Sequence, residues 1–166
     1  MMKRLLLAVL VCAGPALAQN ADGLYYSNAA TEQCLANSET QQEKSECIGR
    51  AANACMMDTP GGSSTYAMGG CISLELEFWD TRLNANYQSA RKPAQAMDAD
   101  AMQHAPSMAN ALRDMQRAWI PFRDATCTFE AAQWGGGTGA GPAYAGCLLR
   151  MTGEQALTLE FSGLGG

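Results

Sequence analysis

Six cysteines constrain this chain more than any other feature, because they follow a segment with the pattern of an export signal. Lys3 and Arg4 precede an apolar run that is too short to span a bilayer, and Ala16-Leu17-Ala18 supplies the small residues of a cleavage site. We therefore predict a signal peptide at residues 1–18 and a mature chain that begins near Gln19. A lipid anchor on the seventh cysteine, Cys12, is disfavoured because Val11 is a poor lipobox residue.

An even number of cysteines in an exported chain predicts three disulfides. Pairing neighbours in sequence gives Cys34–Cys47, Cys55–Cys71 and Cys127–Cys147, although the first four cysteines lie close enough to exchange partners. Each staple closes a loop of about 12–20 residues, worth about 3 kcal/mol in the chain-entropy model. No pair has C-x-x-C spacing and His104 is the only histidine, which argues against a thioredoxin-like or zinc site.

The mature chain shows helical periodicity and no sustained alternation of apolar and polar residues. We predict an all-α fold, a small disulfide-stapled bundle of four to five helices. The strongest segment is Ala111–Cys127, where a buried face is expected at five positions with three-and-four spacing: Leu112, Met115, Trp119, Phe122 and Thr126. Pro121 falls inside this segment without changing the phase, so we expect a kink there rather than a break at Ile120.

Breaker residues divide the rest of the chain. Helices are expected at about 41–57, 64–91, 107–133 and 143–161. Pro93 marks the end of the second helix, and Ser107 caps the third. A poorly periodic connector at 94–107 and a glycine loop at 135–142 separate the last three helices. The predicted organisation is a signal peptide at 1–18, an N-terminal helical extension at 19–70 with Cys34, Cys47 and Cys55, a helical core at 71–161, and a flexible tail at 162–166.

The charge balance limits the partners. Without Lys3 and Arg4 the chain has nine basic and sixteen acidic side chains, a net charge of −7, which repels nucleic acid and favours basic proteins. The same charge is also explained by solubility alone. No cofactor or metal is expected, since the glycine loop lacks the Gly-Lys-Ser/Thr of a phosphate loop and the ten methionines are dispersed.

Two segments carry a composite pattern. Cys71 to Tyr87 contains C…D-x-x-L-N-x-x-Y, and Leu112 to Cys127 reads L-R-x-x-Q-x-x-W-x-x-x-R-D-x-x-C. With the later glycine loop and Cys147, the chain resembles the LprI-type lysozyme-inhibitor family of secreted bacterial proteins. It departs from that family's pattern where Met151-Thr152 is not followed by the usual arginine. The resemblance implies a small helical periplasmic domain and, for some members, inhibition of lysozyme.

Eight residues of this pattern are predicted to form a scaffold: Trp79, Asp80, Asn84, Tyr87, Gln116, Trp119, Arg123 and Asp124. The three aromatic side chains are expected to lock the register of two helices. The amide and charged side chains are expected to form a network that holds the helix pair and the glycine loop together. Asp80 is the candidate partner of Arg123.

Partner contacts are expected on acidic helix flanks and on the glycine loop, at Glu75, Asp80, Trp134, Gly136 and Gly137. The leading hypothesis is a non-enzymatic periplasmic or secreted protein that inhibits lysozyme by occluding the muramidase cleft. An envelope interaction or stress-protection module with another protein partner is the main alternative. A secreted hydrolase that uses His104 is the third, and no nucleophile motif supports it.

Overall fold

The computed structural model describes residues 23–164, so the predicted signal peptide, Cys12 and the last two residues lie outside the described part of the chain. Within it the backbone forms six helices and no strand: α1 (Ala29–Ala36), α2 (Gln41–Ser45), α3 (Arg50–Asp58), α4 (Thr65–Ala99), α5 (Met108–Ala132) and α6 (Ala140–Glu160). Five of them have eight residues or more, which confirms the predicted all-α bundle. No helix between residues 23 and 164 is long and apolar enough to cross a membrane.

Helix α6 lies at the centre of the bundle. It packs most extensively on α4, and α5 covers another side of it. Trp79 on α4 and Leu157 and Leu159 on α6 are fully buried where these helices meet. The shorter helices cover the ends, because α3 packs on α4, α1 packs on α3 and α2 packs on α6. The long helices therefore form the core, and the N-terminal extension is attached to one side.

The disulfides follow the predicted pairing. Cys34 bonds to Cys47, Cys55 to Cys71 and Cys127 to Cys147. The first joins α1 to the segment after α2, the second joins α3 to α4, and the third joins α5 to α6. The second and third disulfides thus close the two connections that contain glycine-rich turns.

Serine caps begin helices α4 and α5, and the cap at Ser107 is as predicted. Ser64 accepts a hydrogen bond from the Ala67 N–H, and Ser107 accepts one from the Asn110 N–H. At the end of α4, the Asp98 carboxylate accepts the Ser107 hydroxyl and the N–H of Ala109. These bonds hold the pKa of Asp98 below its ordinary value, with the Ser107 hydroxyl as the largest cause. The α4–α5 connection is therefore tied at both of its ends.

Three predicted boundaries are wrong. The helix at 41–57 is split, because Gly49 adopts a left-handed φ of 92° between α2 and α3. Helix α4 continues through Pro93 to Ala99, since the burial of Ala90 and Ala94 on either side holds the turn in place. Helix α6 begins at Ala140, inside the predicted glycine loop, because Pro142 falls in the first turn, where an N–H has no helical partner.

The buried face of α5 also differs from the predicted one. Met115 is 41% exposed and Phe122 is 62% exposed. The inward face instead carries Leu112, Gln116, Trp119, Arg123 and Cys127. The predicted and the observed stripe both have helical spacing. The observed one faces inward because Cys127 bonds to Cys147 of α6, and because Gln116 and Arg123 bond to polar side chains of α6. The helix is continuous across Pro121, so the alternative of a break at Ile120 is excluded.

Glu160, at the end of α6, joins three helices. Its carboxylate pairs with Lys44 of α2 and with Arg82 of α4, where the Nη2–Oε2 distance is 2.7 Å. Burial acts to raise the pKa of Glu160, but the hydrogen bonds from the two cations outweigh it and leave the pKa below its ordinary value. The unfolded carboxylate therefore binds protons more readily than the folded one.

This difference predicts a pH-dependent loss of stability. Glu160→Gln should lower the unfolding free energy by about 1 kcal/mol at pH 7. Because a depressed pKa stabilises the fold only above the unfolded pKa, the difference from wild type should vanish as the pH falls well below 4.5. Urea unfolding at a series of pH values measures it. Glu154→Gln, an exposed position on the same helix, is the control, and a pH-independent difference would contradict the assignment.

Candidate functional site

A cleft of about 450 Å³ lies between α4 and α5. Most of its lining belongs to the two motif segments: Asp80, Leu83, Asn84, Tyr87, Arg91, Arg113, Gln116, Arg117, Trp119, Ile120 and Arg123. The motif residues at 80, 83, 84 and 87 follow one face of α4, and those at 113, 116, 119 and 123 follow one face of α5. The sequence pattern thus describes the walls of one concave site.

The cleft is the basic region of an acidic protein. Arg91, Arg113, Arg117 and Arg123 line it, four of the nine basic residues that follow the predicted signal peptide. Two of the four are paired with the carboxylate of the following residue, Arg113 with Asp114 at 2.9 Å and Arg123 with Asp124 at 2.8 Å. No carboxylate between residues 23 and 164 lies within ion-pairing distance of Arg91 or Arg117. These two guanidinium groups therefore leave positive charge facing the cleft.

Aromatic rings support the guanidinium groups. The Arg123 guanidinium lies 5.0 Å from the ring centre of Trp119, and that of Arg91 lies 5.8 Å from the ring of Tyr87. Neither the Trp119 indole N–H nor the Tyr87 hydroxyl makes a hydrogen bond within the described chain. No buried side-chain polar atom in this range lacks a partner, so both groups face solvent. The cleft therefore presents two neutral donors beside its cations.

The predicted scaffold network has different partners from those expected. Arg123 donates to Thr152 of α6 at 3.3 Å and pairs with Asp124, so Asp80 is not its partner. Gln116 accepts the amide of Gln155, again on α6. Asn84 donates to the Asp80 carboxylate within α4. The polar motif residues thus connect α5 to α6 rather than to the glycine loop, because α6 supplies buried polar side chains opposite them.

The aromatic part of the scaffold is divided between two roles. Trp79 is fully buried, and its ring contacts Phe78 edge-on at 5.5 Å. Tyr87 and Trp119 are half-buried and pack against the same core cluster. The ring pair that is in contact is thus Phe78–Trp79, whereas Tyr87 and Trp119 stand at the cleft.

The expectation that Glu75 lies on an exposed acidic flank is wrong. Its side chain is fully buried beneath α1 and α3. One carboxylate oxygen accepts the Thr31 hydroxyl at 2.7 Å, the Gly49 N–H at 2.9 Å and the Trp79 indole N–H at 3.1 Å. The other accepts the Ala52 N–H at 2.7 Å. A carboxylate enclosed in this way holds helices together and is unavailable to a partner.

The other predicted contact residues are accessible. Asp80 is exposed at the edge of the cleft, and Gly136 and Gly137 are exposed in the connection between α5 and α6. Trp134 is 55% exposed, and its ring lies against Gly139, where an added Cβ would come within 2.3 Å of the indole. Gly135 and Gly136 adopt left-handed φ values of 56° and 82°. The glycines thus fold the loop back so that part of the Trp134 indole packs on Gly139, while more than half of the side chain stays exposed.

His104 stands apart from these sites. It is exposed, lies in the α4–α5 connection and has a left-handed φ of 75°. The described residues contain no group of three His, Cys, Asp or Glu side chains that could hold a metal ion. The only histidine therefore has no cluster of potential catalytic or metal-binding side chains around it.

The sequence profile of the family described as lysozyme inhibitor LprI matches residues 55–159. The chain belongs to the LprI family. The match covers both walls of the cleft and two of the three disulfides, whereas α1, α2 and the Cys34–Cys47 disulfide lie outside it. The chain is also 27% identical over 139 residues to an uncharacterized 17.7 kDa protein in the puhA 5′ region of Rhodobacter capsulatus, covering 81% of this chain and 85% of that one. No solved structure matches the chain.

Four residues that line or support this cleft were not predicted from the sequence. Arg91 follows Tyr87 by four residues, and Arg117 follows Arg113 by four residues. This helical spacing was the available signal that they share a face with the motif residues. Thr152 and Gln155 of α6 were also missed, because their partners on α5 lie 29 and 39 residues away in sequence.

Proposed function

We propose that this protein acts in the periplasm or outside the cell as a lysozyme inhibitor that binds without catalysis. The observation that carries the proposal is the LprI family match over residues 55–159. Family membership supports lysozyme as the partner. The mechanism follows from the properties of the surface, since a rigid body that covers the muramidase cleft excludes its polymeric substrate.

The surface best suited to this contact runs along α5 into the glycine loop. Met115, Phe122 and Phe129 are spaced by seven residues, so they lie on one side of the helix, and all three are exposed. Trp134 follows at the end of α5 with 55% of its surface accessible. Large exposed apolar side chains aligned on one side of a helix are typical of protein-binding surfaces. Gly136 and Gly137 let a partner approach the loop backbone closely.

Two further features favour such a complex. The Cys127–Cys147 disulfide closes the base of the loop, so little loop entropy remains to be lost on binding. The net charge of −7 attracts a basic enzyme and raises the rate of encounter more than the affinity. Asp80 is exposed and stays in the proposed contact set as its acidic member, whereas Glu75 is removed from the set by its burial.

A lysis assay with the purified mature protein tests the proposal. Turbidity loss of a lysozyme-treated cell-wall suspension should slow as protein is added, and Trp134→Ala should raise the half-inhibitory concentration about tenfold or more. Tyr66→Ala is the matched control, because Tyr66 is an exposed aromatic residue on α4, outside the α5 stripe and the glycine loop. Full lysozyme activity at a large molar excess would remove the proposal and favour the alternative of another envelope partner.

A further inference from the structure

We propose that the cleft between α4 and α5 binds a small saccharide that carries a carboxylate. This inference goes beyond lysozyme inhibition and does not depend on it, because that activity is placed on the α5 stripe and the glycine loop. Apart from Asp80, the cleft is lined by different residues, and of the exposed apolar side chains of α5 only Ile120 is among them. Its volume of about 450 Å³ falls in the range of small-molecule sites, ~300–1,000 Å³.

The anionic part of the ligand is indicated by the arginines. Arg117 makes no hydrogen bond or ion pair in the described chain, and the only hydrogen bond of Arg91 goes to Gln88 at 3.3 Å. Guanidinium groups bind carboxylates through paired N–H donors, so these two groups are available to a ligand. Such charge concentrated in one concavity of a net acidic protein is not explained by solubility.

A single negative charge suits the cleft better than a phosphate. Asp80 lines the same cavity, and Asp114 and Asp124 already neutralise two of its four arginines. A doubly charged phosphate would be repelled by Asp80, whereas a carboxylate can lie towards Arg117 and Arg91 with a neutral part near Asp80.

The neutral part of the ligand is indicated by the remaining lining. A sugar ring presents hydroxyl groups, which both donate and accept, and apolar C–H faces. Tyr87 and Trp119 offer donors that have no partner in the described chain, and Asp80 offers acceptor oxygens. Leu83 and Ile120 supply apolar surface in the same cavity. An acidic saccharide therefore uses every kind of group that the cleft presents.

Nitrogen-15 NMR of the mature protein tests the proposal, since the three tryptophan indoles report three places. Trp119 lies in the cleft, Trp79 is buried and Trp134 lies on the glycine loop. Titration with N-acetylmuramic acid should shift the Trp119 indole signal saturably and leave the Trp134 signal in place. N-acetylglucosamine, which lacks the carboxylate, should bind at least tenfold more weakly. Trp119→Phe assigns the signal.

Two arginine variants complete the test. Arg117→Ala should weaken the binding about tenfold, and the fold should be retained because this side chain makes no hydrogen bond or ion pair in the described chain and interacts with Asp114 only at longer range. Arg150→Ala should leave the binding unchanged, because Arg150 is an equally exposed arginine that pairs with Glu130 outside the cleft. No saturable shift, an equal response to N-acetylglucosamine, or the same shift with sodium sulfate at equal concentration would each overturn the proposal.

Discussion

Glu75→Ala is expected to lower the unfolding free energy by about 3–5 kcal/mol, enough to leave much of the protein unfolded at 37 °C. The substitution removes the acceptor of four hydrogen bonds in a fully buried site. The N–H groups of Gly49 and Ala52 would remain buried without a partner, and each such group costs about 1–3 kcal/mol. Because these donors belong to the segment from Gly49 into α3, and Thr31 belongs to α1, the loss should loosen the packing of α1 and α3 on α4, although the Cys55–Cys71 disulfide still joins α3 to α4.

Urea unfolding followed by circular dichroism measures the effect. Glu77→Ala is the matched control, since Glu77 is exposed two residues further along the same helix and should change the free energy by about 0.5 kcal/mol or less. Glu75→Gln keeps one acceptor oxygen but places an NH₂ group against N–H donors, so its loss should be intermediate. Equal stability of the Glu75 and Glu77 variants would show that the buried carboxylate does not hold the helices together.

Glu75 also shows what a sequence pattern can and cannot predict. It stands four residues from both Cys71 and Trp79, and Leu83 follows at the same spacing, so the helical phase places it on the buried side. The residue type predicts the opposite, because an unpaired carboxylate is almost never fully buried. The four donors that resolve the conflict come mainly from residues 23 to 44 positions away in sequence. Only the tertiary structure brings them together.

In the cleft, too, helical spacing could be predicted from the sequence and tertiary contacts could not. The two motif segments were predicted to form a scaffold, and six of the eight residues line the cleft: Asp80, Asn84, Tyr87, Gln116, Trp119 and Arg123. Helical spacing can be read directly from sequence, which is why residues of one segment could be placed together. Their partners could not be predicted, because Gln116 and Arg123 bond to α6 rather than to α4 or the glycine loop. The disulfides were predictable for the opposite reason. Their partners are 13, 16 and 20 residues apart, so neighbouring pairs were the simplest arrangement.

Removing the Cys127–Cys147 disulfide is the second change with a large expected effect. The bond closes a loop of 20 residues, so the double variant Cys127→Ala/Cys147→Ala should lose about 3 kcal/mol of unfolding free energy. Both sulfurs are buried against Met151, and their removal adds the loss of packing to the loss of the cross-link. The melting temperature should fall by roughly 6–12 °C, which differential scanning calorimetry measures.

The site of first proteolytic cleavage should distinguish loss of the Cys127–Cys147 disulfide from loss of the Cys34–Cys47 disulfide. Helices α5 and α6 are joined through a loop in which Gly135 and Gly136 have left-handed backbones. Without the disulfide, the backbone of this loop is the remaining covalent link that limits the separation of the two helix ends. Limited proteolysis of the double variant should therefore cut first within residues 133–139. Cys34→Ala/Cys47→Ala removes a bond of similar entropy and should move the first cut to the α1–α2 region instead. If both variants were cut first within residues 133–139, the loop would be cleavable even with the Cys127–Cys147 bond intact, and the assignment of this disulfide as the bond that protects the loop would be wrong.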